Sequence, residues 1–263
     1  MPRHGHVFIV VEENHSYASV VGTGAMPYLD TLIGRYALAT QYYANTHPSI
    51  GNYFMLTVGQ IVTNNDSYVD TIRDDNVVRR LLAAGKTWKS YADSLPSVGY
   101  TGGNVGKYVR RHNPLTYLSD VTDDPAQKQR LVPFTQFAND LAGDTLPNYS
   151  FIVPNLCHDA HDCALDSADT WLHSNIKPLI ESPRFQQDGL LVIVFDESVG
   201  SDVVYGGGQI VCVLVSAKVK PGYRSTTLYQ HQSTLRMMIQ ALGLSSYPGA
   251  AASAVEMGEF FAP

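Results

Sequence analysis

The residues able to do chemistry fall in four clusters, each placed just after an apolar run. The first is Glu13-Asn14, after 6–12 (His-Val-Phe-Ile-Val-Val-Glu). The second is Ser49 in Asn45-Thr46-His47-Pro48-Ser49-Ile50-Gly51-Asn52-Tyr53, after the aromatic-rich segment 36–44. The third is the loop Cys157-His158-Asp159-Ala160-His161-Asp162-Cys163, after 149–153. The fourth is Asp196-Glu197, after Leu-Leu-Val-Ile-Val-Phe at 190–195. Carboxylates and an amide suit Ca, Mg or Mn, and the histidines also admit Zn or Fe. A divalent ion beside Ser49 would favour its alkoxide and polarise a phosphorus centre. Ser49 stands where a strand gives way to an apolar stretch, 53–58, that reads as a helix. Free N–H groups there favour an anion, although a serine in that place is equally a helix cap. Asn52 follows at i+3 and shares its face.

Those clusters need a scaffold that brings them together. The runs 6–12, 149–153, 189–195 and 209–216 read as buried strands, and 36–44 and 87–92 as further strands. Helices are expected over 27–38, 76–84, 133–141, 167–180 and 231–242, with Pro27 suited to a first turn and Gly85, Gly143 and Gly243 to helix stops. Alternating strands and helices predict an α/β fold, a mostly parallel central sheet with helices on both faces. Ligands in such sheets bind beyond the carboxyl ends of the strands, so all four clusters are expected on one edge. Residues 93–133 carry few periodic signals and read as a lid-like insertion in a single domain of residues 1–263. Lys107, Arg110, Arg111 and His112 within it form a basic patch, read as solvated.

Composition narrows the function classes. The chain has 263 residues, 44% hydrophobic, with a formal charge of −6 and no basic face of the kind nucleic-acid binding needs. No apolar run approaches the roughly 18 residues of a membrane span, and no signal peptide precedes the first strand. The glycine-rich 200–208 lacks dinucleotide or P-loop spacing. Ser49 lies outside any Gly-x-Ser-x-Gly elbow, which weighs against a Ser-His-Asp hydrolase. Three cysteines without paired Cys-x-x-Cys spacing do not make a zinc finger.

At 10–17 (Val-Val-Glu-Glu-Asn-His-Ser-Tyr), 46–53 (Thr-His-Pro-Ser-Ile-Gly-Asn-Tyr), 153–163, 195–198 (Phe-Asp-Glu-Ser) and 229–233 (Tyr-Gln-His-Gln-Ser) the sequence resembles the bacterial phosphoesterase family of acid phosphatases and non-specific phospholipases C, within the alkaline-phosphatase-like superfamily. The stretches come in the family's order across almost the whole chain. The resemblance implies metal ligation by Glu13, Asn14, Ser49, Asp196 and Glu197, with Ser49 as nucleophile. The run 49–53 is also similar to the Thr-Phe-Pro-Asn-His/Tyr run of nucleotide pyrophosphatases/phosphodiesterases, which implies phosphate binding by Asn52. His158, His161, Asp162 and His231 would line the phosphate pocket or a second metal site, with His231 or His161 as proton donor. Gly51 stands where many relatives have Pro, and the chain is shorter than the family's phospholipases C.

The expectation is therefore a metal-dependent phosphomonoesterase acting on a small phosphate ester through a phosphoserine on Ser49. A phospholipase C or phosphodiesterase is the alternative, and an inactive phosphate- or partner-binding domain is the reading from another class. Export to the periplasm or medium follows from the resemblance and fits a disulfide between Cys157 and Cys163; free thiols or soft metal ligands are the other reading of that pair.

Overall fold

The computed structural model describes residues 1–262. Its strands are β1 (His6–Glu12), β2 (Ala37–Tyr43), β3 (Trp88–Ala92), β4 (Leu131–Pro133), β5 (Tyr149–Val153), β6 (Gly189–Phe195), β7 (Cys212–Val215) and β8 (Arg224–Gln230). They form one sheet of eight in the order β4-β3-β5-β1-β6-β7-β2-β8. β1 pairs in parallel with β5 and β6, in register Val10↔Ile152 and Glu12↔Phe195. Only β7 runs against its neighbours, antiparallel to both β6 and β2. Two reversals cancel, so β2 runs the same way as β1, β5 and β6. The carboxyl ends of all four strands that precede the polar clusters thus share one edge, as the sequence predicts.

β1 and β6 are central and buried almost throughout, which is why they read as unbroken apolar runs. β8 was not legible in the sequence. It is an edge strand of mostly polar residues in which only Ser225 and Tyr229 are buried. The helix expected over 167–180 is divided into Leu165–Asn175 and Lys177–Glu181. Pro178 has no N–H to give the preceding turn, so a continuous helix cannot pass through it. The helix expected over 27–38 stops at Arg35, because Ala37 and Leu38 already pair with β7.

Residues 93–133 are less irregular than expected. They contain the tight turns Arg110–His112 and Pro114–Tyr117, the short helices Ser119–Thr122 and Pro125–Lys128, and β4. Leu115, Tyr117, Leu118 and Val121 bury their side chains, so the segment is fastened to the core. Among the described residues no helix is long and apolar enough to cross a membrane.

The Pro27–Arg35 helix is anchored from another element. Met26, at its cap position, offers no side-chain bond, and Asp169 of the Leu165–Asn175 helix supplies the acceptors instead. Its two oxygens take the N–H groups of Tyr28 (2.9 Å) and Leu29 (2.8 Å). Asp169→Ala is expected to lower stability by about 1–2 kcal/mol, as loss of a helix cap does. Urea unfolding measures this, and an unchanged midpoint would contradict the anchoring role.

Candidate active site

The Ser49–Met55 helix begins at Ser49 itself, with Pro48 in the cap position and no side-chain cap bond. The serine is therefore not the helix cap. Its hydroxyl donates to Glu13 Oε2 at 3.1 Å. Glu13 is fully buried at the end of β1 and takes a second hydrogen bond on Oε1 from the Tyr53 hydroxyl, at 2.5 Å. Tyr53 lies one turn after Ser49, so one short helix aims both hydroxyls at one carboxylate. The main-chain N–H of Glu13 is bonded to the Asp159 carbonyl, which joins β1 to the cysteine loop.

Asn14, in a left-handed conformation (φ 55°), donates its N–H to Asp196 Oδ1 at 3.1 Å. The same oxygen accepts the Glu197 N–H at 2.6 Å. Asn52 holds the turn that presents Ser49. Its Oδ1 accepts from the N–H groups of Asn45 and Thr46, and its Nδ2 donates to the Thr46 carbonyl at 2.8 Å and reaches Glu197 Oε2 at 3.4 Å. At most one loosely held amide proton is left for a phosphoryl oxygen. Glu13, Asn14, Ser49, Asn52, Asp196 and Glu197 therefore stand together as the sequence predicts.

The histidines are distributed differently. His231 is fully buried, with Nε2 2.7 Å from the Asp196 carbonyl and Nδ1 3.3 Å from the Tyr42 hydroxyl. The carbonyl can only accept, so Nε2 carries the proton. Both nitrogens are committed, and burial lowers the pKa to about 4. His231 positions the Asp196 main chain, which corrects its expected place as a proton donor. His158 is bonded to Asp93 (Nδ1 to Oδ2, 2.5 Å) and stacks on Trp171; among the described residues its side chain makes no hydrogen bond to the Ser49 cluster, where a phosphate contact was expected. Asp162 is half-exposed and holds His161 Nδ1 at 2.7 Å, so it orients a histidine where a phosphate contact was expected. His161 does reach the site, with its ring 5.9 Å from that of His112.

His112 and Asp159 complete the cluster and were not singled out from sequence. His112 is buried, stacked on Tyr53 at 5.1 Å, with Nε2 3.2 Å from Glu13 Oε1 and Nδ1 3.2 Å from Asp159 Oδ2. The basic patch containing it is thus not simply solvated. A lone histidine far from any regular element gives no periodic signal; Asp159 was visible only as part of a polar loop. His47, within the run 45–53, also reaches the site. Its Nδ1 lies 3.1 Å from Glu197 Oε2, and its Nε2 donates to the Asp202 carbonyl at 2.9 Å. Cys157 and Cys163 form a disulfide that closes this loop, and Cys212 is free and buried.

Glu13, His112 and Asp159 form a buried group able to hold a cation. It shares only Glu13 with the predicted ligand set. The fit is chemical as well as spatial. His112 Nε2 and His47 Nδ1 each approach a carboxylate oxygen without hydrogen-bond geometry, and Asp196 Oδ2 is buried with no partner. Orphaned buried polar atoms cost about 1–3 kcal/mol each, and a divalent cation would satisfy several together. Burial raises the pKa of Glu13, and the charges of Asp196 and Asp159 raise it further. Burial likewise pushes Asp196 to about 6, Asp159 to about 7 and Glu197 to about 9. The N–H groups of Asn14 and Glu197, both donated to Asp196 Oδ1, oppose this by favouring its charged form.

These shifts set a sign. A carboxyl with a raised folded pKa holds more protons folded than unfolded between the two values, so metal-free stability falls as pH rises through that window. EDTA-treated protein is expected to lose thermal stability from about pH 4 to about pH 9, through the Asp196, Asp159 and Glu197 titrations. Saturating divalent cation should flatten the trend, and identical slopes with and without metal would contradict it. His112→Ala should weaken metal affinity by about 10-fold or more, read by calorimetric titration.

The chain as a whole resembles proteins of one family. The model of the phosphoesterase family matches residues 23–245. A phosphatidylinositol-3-phosphatase of Mycobacterium tuberculosis is 34% identical over 246 residues, 93% of this chain and 79% of that protein. An acid phosphatase of Aspergillus fumigatus is 33% identical over 222 residues, 80% of this chain but 49% of its own length. The chain thus spans about half the length of its fungal relatives. An alkaline phosphatase superfamily protein from Vibrio parahaemolyticus superimposes with a TM-score of 0.63 at 12% identity, covering 99% of this chain and 72% of its own. A phosphonate monoester hydrolase from Silicibacter pomeroyi does so with a TM-score of 0.59 at 13% identity, covering 99% and 78%. With its eight-stranded sheet of this superfamily's form and with relatives named as phosphatases, the chain belongs to the phosphoesterase family and is a phosphoric ester hydrolase.

Proposed function

We propose that the protein is a metal-dependent phosphomonoesterase that works through a phosphoserine on Ser49. The observation that carries this reading is the Ser49 hydroxyl bonded to Glu13 Oε2, inside a buried cluster of carboxylates from three separate loops. The resemblance points to Glu13, Asn14, Ser49, Asp196 and Glu197 as metal ligands, and His112 and Asp159 are further donors beside them. The cation, when bound, supplies charge that favours the serine alkoxide and neutralises phosphoryl oxygens. Ca, Mg, Mn and Zn all suit a donor set of carboxylates and imidazole.

The chain's own residues do the rest. Ser49 gives up its proton towards Glu13, and its Oγ bonds to phosphorus while the ester P–O bond breaks. Asn52 fixes the approach of Oγ by holding the turn. His161 is oriented through Nδ1 by Asp162, with Nε2 3.4 Å from Arg111 Nη2; in its doubly protonated form it would give the Nε2 proton to the leaving oxygen, and once neutral it would take one from the water that releases phosphate. Within residues 93–133, Leu115, Tyr117, Leu118 and Val121 are buried and His112 is directed to the site, while Val98 and Val105 are exposed. The disulfide supports export as the setting.

Metal-loaded wild type should hydrolyse p-nitrophenyl phosphate in preference to bis-p-nitrophenyl phosphate and p-nitrophenylphosphorylcholine. Ser49→Ala should lose turnover while melting like wild type. Near-normal activity in that variant would remove the nucleophile, and a preference for the diester or choline ester would move the assignment to a phosphodiesterase or phospholipase C. His231→Asn should mainly weaken metal affinity, while His161→Asn should lower kcat with little change in metal binding.

A further inference from the structure

The turn Arg110–His112 presents three basic residues whose fates differ. His112 is buried against Tyr53 and Glu13. Arg110 serves the fold: its guanidinium donates to the Val69 and Thr116 carbonyls and lies 4.0 Å over the Tyr117 ring. Arg111 is not used in this way. Its side chain is 17% exposed, its Nε is shielded from water with no hydrogen-bond partner, and the nearest carboxylate, Asp66, stands off at 3.7 Å. Among the described residues its one side-chain hydrogen-bond contact is with His161 Nε2, at 3.4 Å from Nη2. Because His161 Nδ1 faces Asp162, that Nε2 is free to accept.

The guanidinium also lies beside the active site: its neighbour His161 has its ring 5.9 Å from that of His112, whose Nε2 is 3.2 Å from Glu13 Oε1. A guanidinium offers five N–H donors in a planar fork that matches two phosphoryl oxygens. Leaving its Nε–H away from water without a partner is costly unless a ligand answers it.

We propose that Arg111 is the residue that receives the non-bridging oxygens of the substrate's phosphoryl group, with Asp66 as its counter-ion in the empty enzyme. The inference rests on the phosphomonoesterase reading and adds a specificity device to it. A monoester brings a dianion and a diester a monoanion, so a forked cation rewards the monoester more. Charge on the equatorial oxygens persists through a loose phosphoryl-transfer transition state, so Arg111 contributes to kcat as well as to binding. Substrate takes the place of the distant Asp66 carboxylate on the guanidinium.

The test compares metal-loaded wild type, Arg111→Ala, Arg111→Lys and Asp66→Asn. The readouts are steady-state kinetics on p-nitrophenyl phosphate and bis-p-nitrophenyl phosphate, and binding of inorganic phosphate by calorimetry. Arg111→Ala should lower kcat/KM for the monoester by about 100-fold or more and for the diester by about 10-fold or less. Phosphate affinity should fall with it, and Arg111→Lys should recover part of both. Asp66→Asn should tighten phosphate binding a few-fold. Equal losses on the two esters with unchanged phosphate affinity would overturn the proposal, as would no loss. If Arg111→Ala does not fold, Arg111→Lys and Asp66→Asn decide the matter by phosphate affinity. If Ser49→Ala abolishes turnover while Arg111→Ala leaves the monoester rate intact, the inference fails and the phosphomonoesterase reading stands. If wild type turns over no monoester, that reading fails, and phosphate binding to wild type against Arg111→Ala still tests the arginine.

Discussion

The structure is governed by the cost of crowding carboxylates out of water. Glu13, Asp159, Asp196 and Glu197 are all buried at one sheet edge, and burial alone drives each towards its neutral form. Like charges add to this at Glu13 and Glu197. Such a cluster persists only if surrounding donors restrain it or a cation balances it. Much of the local architecture answers that demand. The hydroxyls of Ser49 and Tyr53 and the N–H groups of Asn14 and Glu197 all point at carboxylate oxygens.

The sheet makes this concentration feasible. Parallel strands end on the same edge, so four polar loops from distant parts of the chain meet without any of them being long. The rigid, apolar strands β1 and β6 fix the spacing between Glu13 and Asp196 through continuous pairing. The neighbouring elements then fasten the loops. His231 grips the Asp196 carbonyl from the start of the His231–Ala241 helix, and Asn52 ties the residues before Ser49 to the helix that follows them. Precision at the site is therefore inherited from buried hydrogen bonds one step removed from it.

What could be read in the sequence follows from the same physics. Glu13, Asn14, Ser49, Asp196 and Glu197 each sit next to a strong apolar run, and the run announces both the strand and the edge. His231 also follows a strand, but periodicity says where a residue sits and not which atoms its nitrogens find, here the Asp196 carbonyl and the Tyr42 hydroxyl. His112 and Arg111 lie amid turns with no repeating pattern, and their approach to Glu13 and His161 exists only in three dimensions. β8 escaped notice because an edge strand with one buried face need not be apolar.

The reversal at β7 has a consequence for how the enzyme can change. Since β6 and β7 are antiparallel, the connection 196–211 is a hairpin that leaves and re-enters the sheet at the same edge. It never crosses to the far side, and it carries Glu197 at one end and the Asp202 carbonyl that holds His47 near its middle. Every other strand that bears a cluster must send the chain back across a face of the sheet before pairing again. The hairpin can therefore lengthen or shorten without disturbing a crossover helix. It is the part of the scaffold where the shape of the entrance can be altered while the strands beneath keep their register.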